Sequence, residues 1–276
     1  MKSNNSSSPH IRTKNQQLKE KIAMPKVKIN RIVINYKIVG DGPHTVLCLP
    51  GYLGNIDMDF GPFLEKADKT KFQFVCWDPP GYGKSYPPKR EFTQGYLDRD
   101  ANLVWELMDI LGFESYYVLG WSQGGATGII LASFYPDSVL KLVTIGTEAT
   151  LSESSVRFYN ACKSIDFWPK ENVEKHLKFY KRNYLESMTH EMAEYGVDIN
   201  KFQGGEYMKN TTKCVKCPVL IVHGQEDTSM SPKNVDILKS RIPNTEVKLF
   251  PTAKHDVHLT HTEEFLEAFE KFLLHN

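Results

Sequence analysis

The sequence predicts an α/β fold. Short apolar, β-rich runs recur along the chain, and amphipathic helical periods separate them. The 276 residues are 41% hydrophobic and 24% charged, an ordinary globular balance that can bury a sizeable core.

Residues 1–24 stand apart from this alternation. They carry five Lys/Arg, one acid (Glu20), four Ser and no aromatic residue. Such a segment reads as a disordered tail, with a mitochondrial transit peptide as the alternative. From Met24 onward, strand-like runs fall at 32–39, 45–49, 72–77, 115–119, 140–145, 218–222 and 246–250. Their continuous apolar character fits strands covered on both faces of a largely parallel sheet. Leu97, Ala101, Val104, Met108 and Leu111 form one helical stripe, with Thr93 as its start signal. Near the end, Thr260 and Glu263 have the spacing of a capping box ahead of Phe265, Phe269 and Phe272.

Residues 150–212 break the pattern. They hold no convincing strand but several helical periods, such as Val173, Leu177, Tyr180 and Tyr184. A helical cap over 150–212 is therefore expected, inserted into a core made of 25–149 and 213–276. Its aromatic residues Phe158, Tyr159, Phe167, Trp168, Phe179 and Tyr180 either line an apolar entrance or fasten the cap to the core, the second being the expectation for any one of them.

Composition excludes several classes of function. A net charge of +1 supplies no basic field for nucleic acid. The longest apolar runs reach about six residues, far short of a membrane span, for which ~20 are needed. Five Cys do not make a secreted disulfide framework. Cys214 and Cys217 form a C-x-x-C, yet no second ligand pair suits zinc, and the motif leads into a strand rather than opening a helix. No cofactor and no metal are expected. The expected partner is a small molecule, without nucleic acid or membrane, and the chain is expected to be a monomer in the cytoplasm or mitochondria.

Residues 120–124 read Gly-Trp-Ser-Gln-Gly. This G-x-S-x-G follows the strand-like YYVL and opens a segment rich in small residues, the context in which a serine is held exposed on a sharp strand-to-helix turn. Ser122 is thus the candidate nucleophile. A serine hydroxyl needs a base, and the base an orienting acid. Asp227, after the run PVLIVH, is the candidate acid, with Glu226 next. His255, after EVKLF, is the candidate base, against His223, His258 and His261. An oxyanion needs two N–H donors. Gln123 supplies one; the other belongs to the loop Pro50–Gly54, at Tyr52 or neighbouring Leu53. The loop Asp78–Ser85 reads as structural.

These residues resemble the α/β-hydrolase family over 26–275, and within it the biphenyl hydrolase-like branch. The similarity runs through LPGYLG (49–54), DFGPFL (59–64), WDPPGYGKS (77–85), GWSQGG (120–125), CPVLIVHG (217–224) and PTAKHDVHL (251–259). The resemblance implies an eight-stranded, mostly parallel sheet with helices on both faces and an inserted cap. It also implies a serine hydrolase for esters of α-amino acids, with the triad at Ser122, Asp227 and His255. Two departures stand out. The branch carries an acid directly after the nucleophile, to hold the substrate's ammonium; here that residue is Gln123, which offers no charge. Glu148, after the run LKLVTI, is the candidate to replace it, so Gln123 and Glu148 are the candidate substrate-binding pair. Pro80 stands where relatives usually have Arg. The expected activity is carboxylic-ester hydrolysis through an acyl-enzyme. Amide, lactone or carbon–carbon bond hydrolysis on the same fold is the alternative, and a non-catalytic binding module is disfavoured.

Overall fold

The computed structural model describes residues 26–275. The expectation of a tail or transit peptide at 1–24 lies outside the described residues.

All seven strand-like runs are strands, their ends shifted by no more than two residues: β2 (Ile32–Val39), β3 (His44–Leu49), β4 (Phe72–Trp77), β5 (Tyr116–Trp121), β6 (Val139–Ile145), β7 (Val219–Gly224) and β8 (Thr245–Phe250). An additional β1 (Lys26–Ile29) forms a hairpin with β2. The eight-stranded sheet has the order β1-β2-β4-β3-β5-β6-β7-β8. β1 and β2 pair antiparallel, β2 meets β4 antiparallel, and the six strands from β4 to β8 run parallel.

Strand alternation divides the core into two layers. Leu47, Leu49, Val75, Trp77 and Val118 face α2 (Tyr96–Leu111) and α3 (Gln123–Phe134). Val46, Cys48, Phe74, Cys76 and Leu119 face α1 (Gly61–Lys66) and α10 (Thr262–Leu274). The helical stripes bury their predicted faces, but both start signals differ from expectation. Helix α2 begins at Tyr96 behind Gly95, which takes a left-handed φ of 77°, and Thr93 contributes only its carbonyl, to Tyr96 N–H. Helix α10 begins at Thr262 with no side-chain cap. Thr260 instead ends the short α9 (Val257–Thr260), its hydroxyl donating to the Asp256 carbonyl at 3.1 Å.

Between β6 and β7 the chain is helical: α4 (Glu153–Ala161), α5 (Lys170–Leu177), α6 (Arg182–Gln203) and α7 (Lys209–Thr212), with no strand in this stretch. The Val173–Tyr184 stripe is not one helix. It breaks between α5 and α6, and the break holds Tyr180, which is buried. Phe167, by contrast, is 85% exposed and lines nothing. α8 (Lys233–Arg241) returns the chain to β8.

Among the described residues no helix is long and apolar enough to cross a membrane. No group of three or more His, Cys, Asp or Glu side chains is arranged there to hold a metal ion. Cys214 is exposed, Cys217 is buried, and both are free thiols.

Candidate active site

Loops after β3, β5, β7 and β8 emerge at the same end of the parallel sheet, where sheets of this kind gather their sites. Ser122 lies between β5 and α3 with φ 55° and ψ −118°, a strained region for a residue with a side chain. Close backbone contacts enforce that turn. A Cβ on Gly120 would lie 2.4 Å from the Gly124 carbonyl oxygen, and one on Gly124 would lie 2.0 Å from that of Leu49. The glycines of the motif are therefore steric requirements. Ser122 N–H donates to the Ile145 carbonyl at 2.8 Å, which ties the turn to β6.

Asp227 and His255 meet after β7 and β8. His255 Nδ1 is 2.7 Å from Asp227 Oδ2, while Asp227 Oδ1 accepts from Ser229 N–H at 2.8 Å and Met230 N–H at 3.0 Å. Burial alone would push the Asp227 carboxyl up. The His255 hydrogen bond and charge, with the two N–H donors, outweigh it and hold the group below the usual carboxylate range. Ser122, Asp227 and His255 line one cleft of about 390 Å³, of a size for a small molecule. Among the described residues no hydrogen bond joins the Ser122 hydroxyl to the imidazole. Glu226 is exposed, outside that cleft. His223 and His258 are buried away from the cleft lining, and His261 contacts the hydroxyls of Thr252 and Thr260.

The loop after β3 folds into a turn in which Gly54 N–H donates to the Gly51 carbonyl at 3.1 Å and Leu53 takes φ 59°. Gly51 N–H is committed to Asp59 Oδ2 at 2.9 Å. Tyr52 N–H has no protein acceptor among the described residues, Leu53 N–H faces the buried Tyr82 hydroxyl, and both residues line the cleft. Gln123 opens α3 beside Ser122. Asn55 caps the π-helical turn Ile56–Phe60 through Asp57 and Met58 N–H, and this places Asp59 under the loop. Burial pushes the Asp59 carboxyl up to about 7.

Glu148 is buried and lines a small enclosed pocket with Ser122, Gln123, Tyr159, Met192 and Met230. The Ser155 hydroxyl donates to Glu148 Oε1, and the Tyr159 hydroxyl stands beside both the Glu148 carboxyl and the Gln123 amide. Burial, with a smaller push from the Asp227 charge, raises the Glu148 carboxyl to about 8 despite those donors. Gln123 Nε2 reaches Met192 Sδ at 3.5 Å. Phe158, Tyr159 and Trp168, from the helical stretch between β6 and β7, line the outer cleft, whereas Phe179 and Tyr180 do not.

Asp59 and Trp121 were not singled out by sequence as parts of the site, and Tyr180 was named only among the aromatic residues of 150–212 that line an entrance or fasten that stretch to the core. Asp59 shares the turn Ile56–Phe60 with a second acid, Asp57, and no local pattern distinguishes the two. Pro80 gains a partner that spacing alone does not show: the Arg90 guanidinium donates to its carbonyl at 3.2 Å and is held by Asp100 at 3.0 and 2.6 Å. The Asp78 carboxylate, which accepts from Ile56 N–H, Lys84 N–H and the Asn35 amide, fastens the 78–85 loop behind the candidate oxyanion turn.

Comparison with known proteins agrees with this architecture. Residues 44–187 match the family model described as alpha/beta hydrolase fold. The chain is 34% identical over 253 residues to "Serine hydrolase BPHL" of Mus musculus, covering 91% of this chain and 87% of that one. It is 32% identical to the Homo sapiens protein of the same name at the same coverage. Among solved structures, 2-hydroxy-6-oxo-6-phenylhexa-2,4-dienoate hydrolase from a Rhodococcus strain superimposes with a TM-score of 0.74 at 15% identity, covering 90% of this chain and 97% of that one. Together with the sheet order and the strained serine turn, these matches show that the chain belongs to the α/β-hydrolase family and is a hydrolase.

Proposed function

We infer that the chain is a serine esterase that cleaves small carboxylic esters through an acyl-enzyme, with Ser122, His255 and Asp227 as its catalytic triad. The observation that carries this reading is the 2.7 Å contact between His255 Nδ1 and Asp227, in the same cleft as a serine held in a strained turn. A carboxylate on Nδ1 fixes that nitrogen as the donor and leaves Nε2 unprotonated, the state a general base requires. In the acylation step Ser122 Oγ bonds to the ester carbonyl carbon while its proton passes to His255 Nε2. The carbonyl oxygen becomes an oxyanion facing the N–H of Gln123 and that of Tyr52 or Leu53. Collapse expels the alcohol, which takes the proton from His255. Water repeats the sequence on the acyl-enzyme and releases the acid.

On the acyl side, the reading extends to amino-acid-type esters. Gln123 brings no charge, but Glu148 places a buried carboxyl in the pocket that Ser122 lines. An ammonium on the acyl group supplies the counter-charge that a buried carboxyl lacks, and favours its ionisation.

The test is a fluorophosphonate probe together with a p-nitrophenyl ester panel. Labelling at Ser122, and loss of both labelling and turnover in Ser122→Ala, is the expected result. A Ser122→Ala variant that turns over esters like the parent would sink the reading. Turnover of amides, lactones or vinylogous diketones in preference to esters would move the activity elsewhere on the same fold.

A further inference from the structure

Tyr180 occupies the break between α5 and α6, and its hydroxyl leaves the cap to enter the core. It donates to the Leu53 carbonyl at 3.0 Å, with the Gly54 carbonyl at 3.4 Å, and accepts from Gly83 N–H at 3.1 Å. On the other side of the same turn, Gly51 N–H is pinned by Asp59, a residue of the core. The peptide units that carry the N–H groups of Tyr52 and Leu53 thus lie between two anchored groups, one held from the core and one from the cap. Leu53 itself sits at φ 59°, a conformation that a leucine keeps only when its surroundings impose it.

We propose that Tyr180 is a positioning residue of the hydrolase, which aims the oxyanion donors of the Gly51–Gly54 turn by holding the Leu53 carbonyl and so makes a competent oxyanion hole depend on a seated cap. The proposal rests on the esterase reading above. Its physical basis is that fixing the Leu53 carbonyl fixes ψ of Leu53. With the Asp59 anchor setting the other end, little rotation is left to the two intervening N–H vectors. Such preorganised donors act on the transition state more than on the ground state, because the charge they meet develops only there.

A matched control exists in the same cap. The Tyr184 hydroxyl also accepts from one backbone N–H, that of Arg90 at 2.8 Å, and donates to one carbonyl, that of Gly81 at 2.8 Å, but it does not touch the Gly51–Gly54 turn. Tyr180→Phe and Tyr184→Phe therefore remove comparable cap-to-core hydrogen bonds with different neighbours.

The experiment compares the full-length parent and both variants on a neutral p-nitrophenyl ester, and measures the affinity of each for a boronic acid that forms a tetrahedral adduct. For Tyr180→Phe the expected result is a fall in kcat of about tenfold or more, with KM within twofold and a parallel loss of boronic-acid affinity. Tyr184→Phe is expected to stay within about twofold of the parent in both. Should Tyr180→Phe not fold, Tyr180 is replaced by 4-aminophenylalanine, whose ring amine keeps a donor at the same reach from the backbone. Boronic-acid affinity of that variant within about threefold of the parent supports the proposal, and a larger loss overturns it. Equal losses in both phenylalanine variants, or a Tyr180→Phe enzyme that keeps its boronic-acid affinity, also overturn it. A parent that neither hydrolyses esters nor binds the boronic acid overturns the esterase reading itself, and this inference with it.

Discussion

The indole N–H of Trp121 donates to the backbone carbonyl of His255 at 3.0 Å. One residue immediately precedes the candidate nucleophile and the other is the candidate base, so this bond links the end of β5 to the loop after β8. The two rings also meet, with centroids 5.3 Å apart. A neutral hydrogen bond of this kind contributes about 1 kcal/mol. Trp121→Phe is expected to lower kcat/KM by up to about tenfold with KM little changed, because what it loosens is the placing of the imidazole. Steady-state kinetics on a neutral ester check this, and an unchanged kcat would remove the bond from the catalytic account.

Asp227 should prove more costly to alter. Asp227→Asn leaves the volume intact but reverses what the side chain asks of His255 Nδ1, and a loss of about 10⁴ in kcat is expected. Fluorophosphonate labelling of Ser122 should slow in proportion. Labelling at the parental rate would show that His255 does not act through Asp227.

Glu148 ties specificity to pH. Its carboxyl is raised to about 8, so in the free protein it is largely neutral at pH 7. Binding an ammonium requires the ionised form. KM for a valine ester should therefore fall as pH rises from 6 towards 8, while KM for the deaminated analogue stays level. Glu148→Gln should abolish both the preference and its pH dependence. If the two esters respond alike in parent and variant, Glu148 is not the ammonium site.

Acid sensitivity should trace in part to His258. This imidazole is buried, with Nε2 at 2.8 Å from the Asp59 carbonyl, and burial holds it down to about 3 against an ordinary value near 6.5. The unfolded chain then binds the extra proton first, so this group subtracts stability as pH falls below about 6.5, by about 1.4 kcal/mol per pH unit down to the folded value. At pH 5 the loss is about 2 kcal/mol. Glu148 and Asp59, raised to about 8 and about 7, act in the opposite direction across part of that window, because the folded protein holds their protons. The measurable quantity is therefore the difference in slope between parent and His258→Phe in urea unfolding at pH 5 to 7.5. A shallower acid decline in the variant is expected, and identical slopes would contradict it.

The Arg90–Asp100 pair, whose side chains are 1% and 3% exposed, should respond differently to single and double replacement. Arg90 also lies over the rings of Tyr82 and Tyr96, at 4.7 and 5.0 Å from their centroids. Arg90→Met leaves the buried Asp100 carboxylate with only the longer 3.9 Å contact to Arg99 Nε and should cost about 3 kcal/mol. Arg90→Met with Asp100→Leu should recover most of that loss. Chemical denaturation of the three variants is the check, and a double variant no more stable than the single one would refute it.

The sheet was legible in the sequence because parallel strands covered on both faces read as unbroken apolar runs, as in TVLCL and PVLIV. β1 escaped notice because Lys26–Ile29 is a four-residue edge strand with charge at alternate positions. The helix starts misled for a local reason. Thr93 and Thr260 have the side chains that cap helices, but Gly95 allows the left-handed entry to α2, and Thr260 is occupied with ending α9. Ser122, Asp227 and His255 could be chosen because each follows a strand at the same end of the sheet. What holds the Gly51–Gly54 turn could not be read. Tyr180 and Leu53 are 127 residues apart in sequence, and no local pattern marks a hydroxyl that reaches across such a distance. Arg90 beneath Pro80 escaped for a related reason: a lone Arg in a loop looks solvated until its aromatic and acidic neighbours are in place.

The order of strands across the sheet has a consequence for how the enzyme is made. From β5 outwards, β6, β7 and β8 are added one beside the next in the order in which they are synthesised. The 134 residues from Trp121 to His255 take a ribosome roughly 7–27 s to complete. Throughout that interval the nascent chain carries Ser122 without His255. With these two as the proposed nucleophile and base, hydrolytic competence is expected only when the last strand docks on an edge that already exists, and a chain stalled short of His255 is expected to be inert.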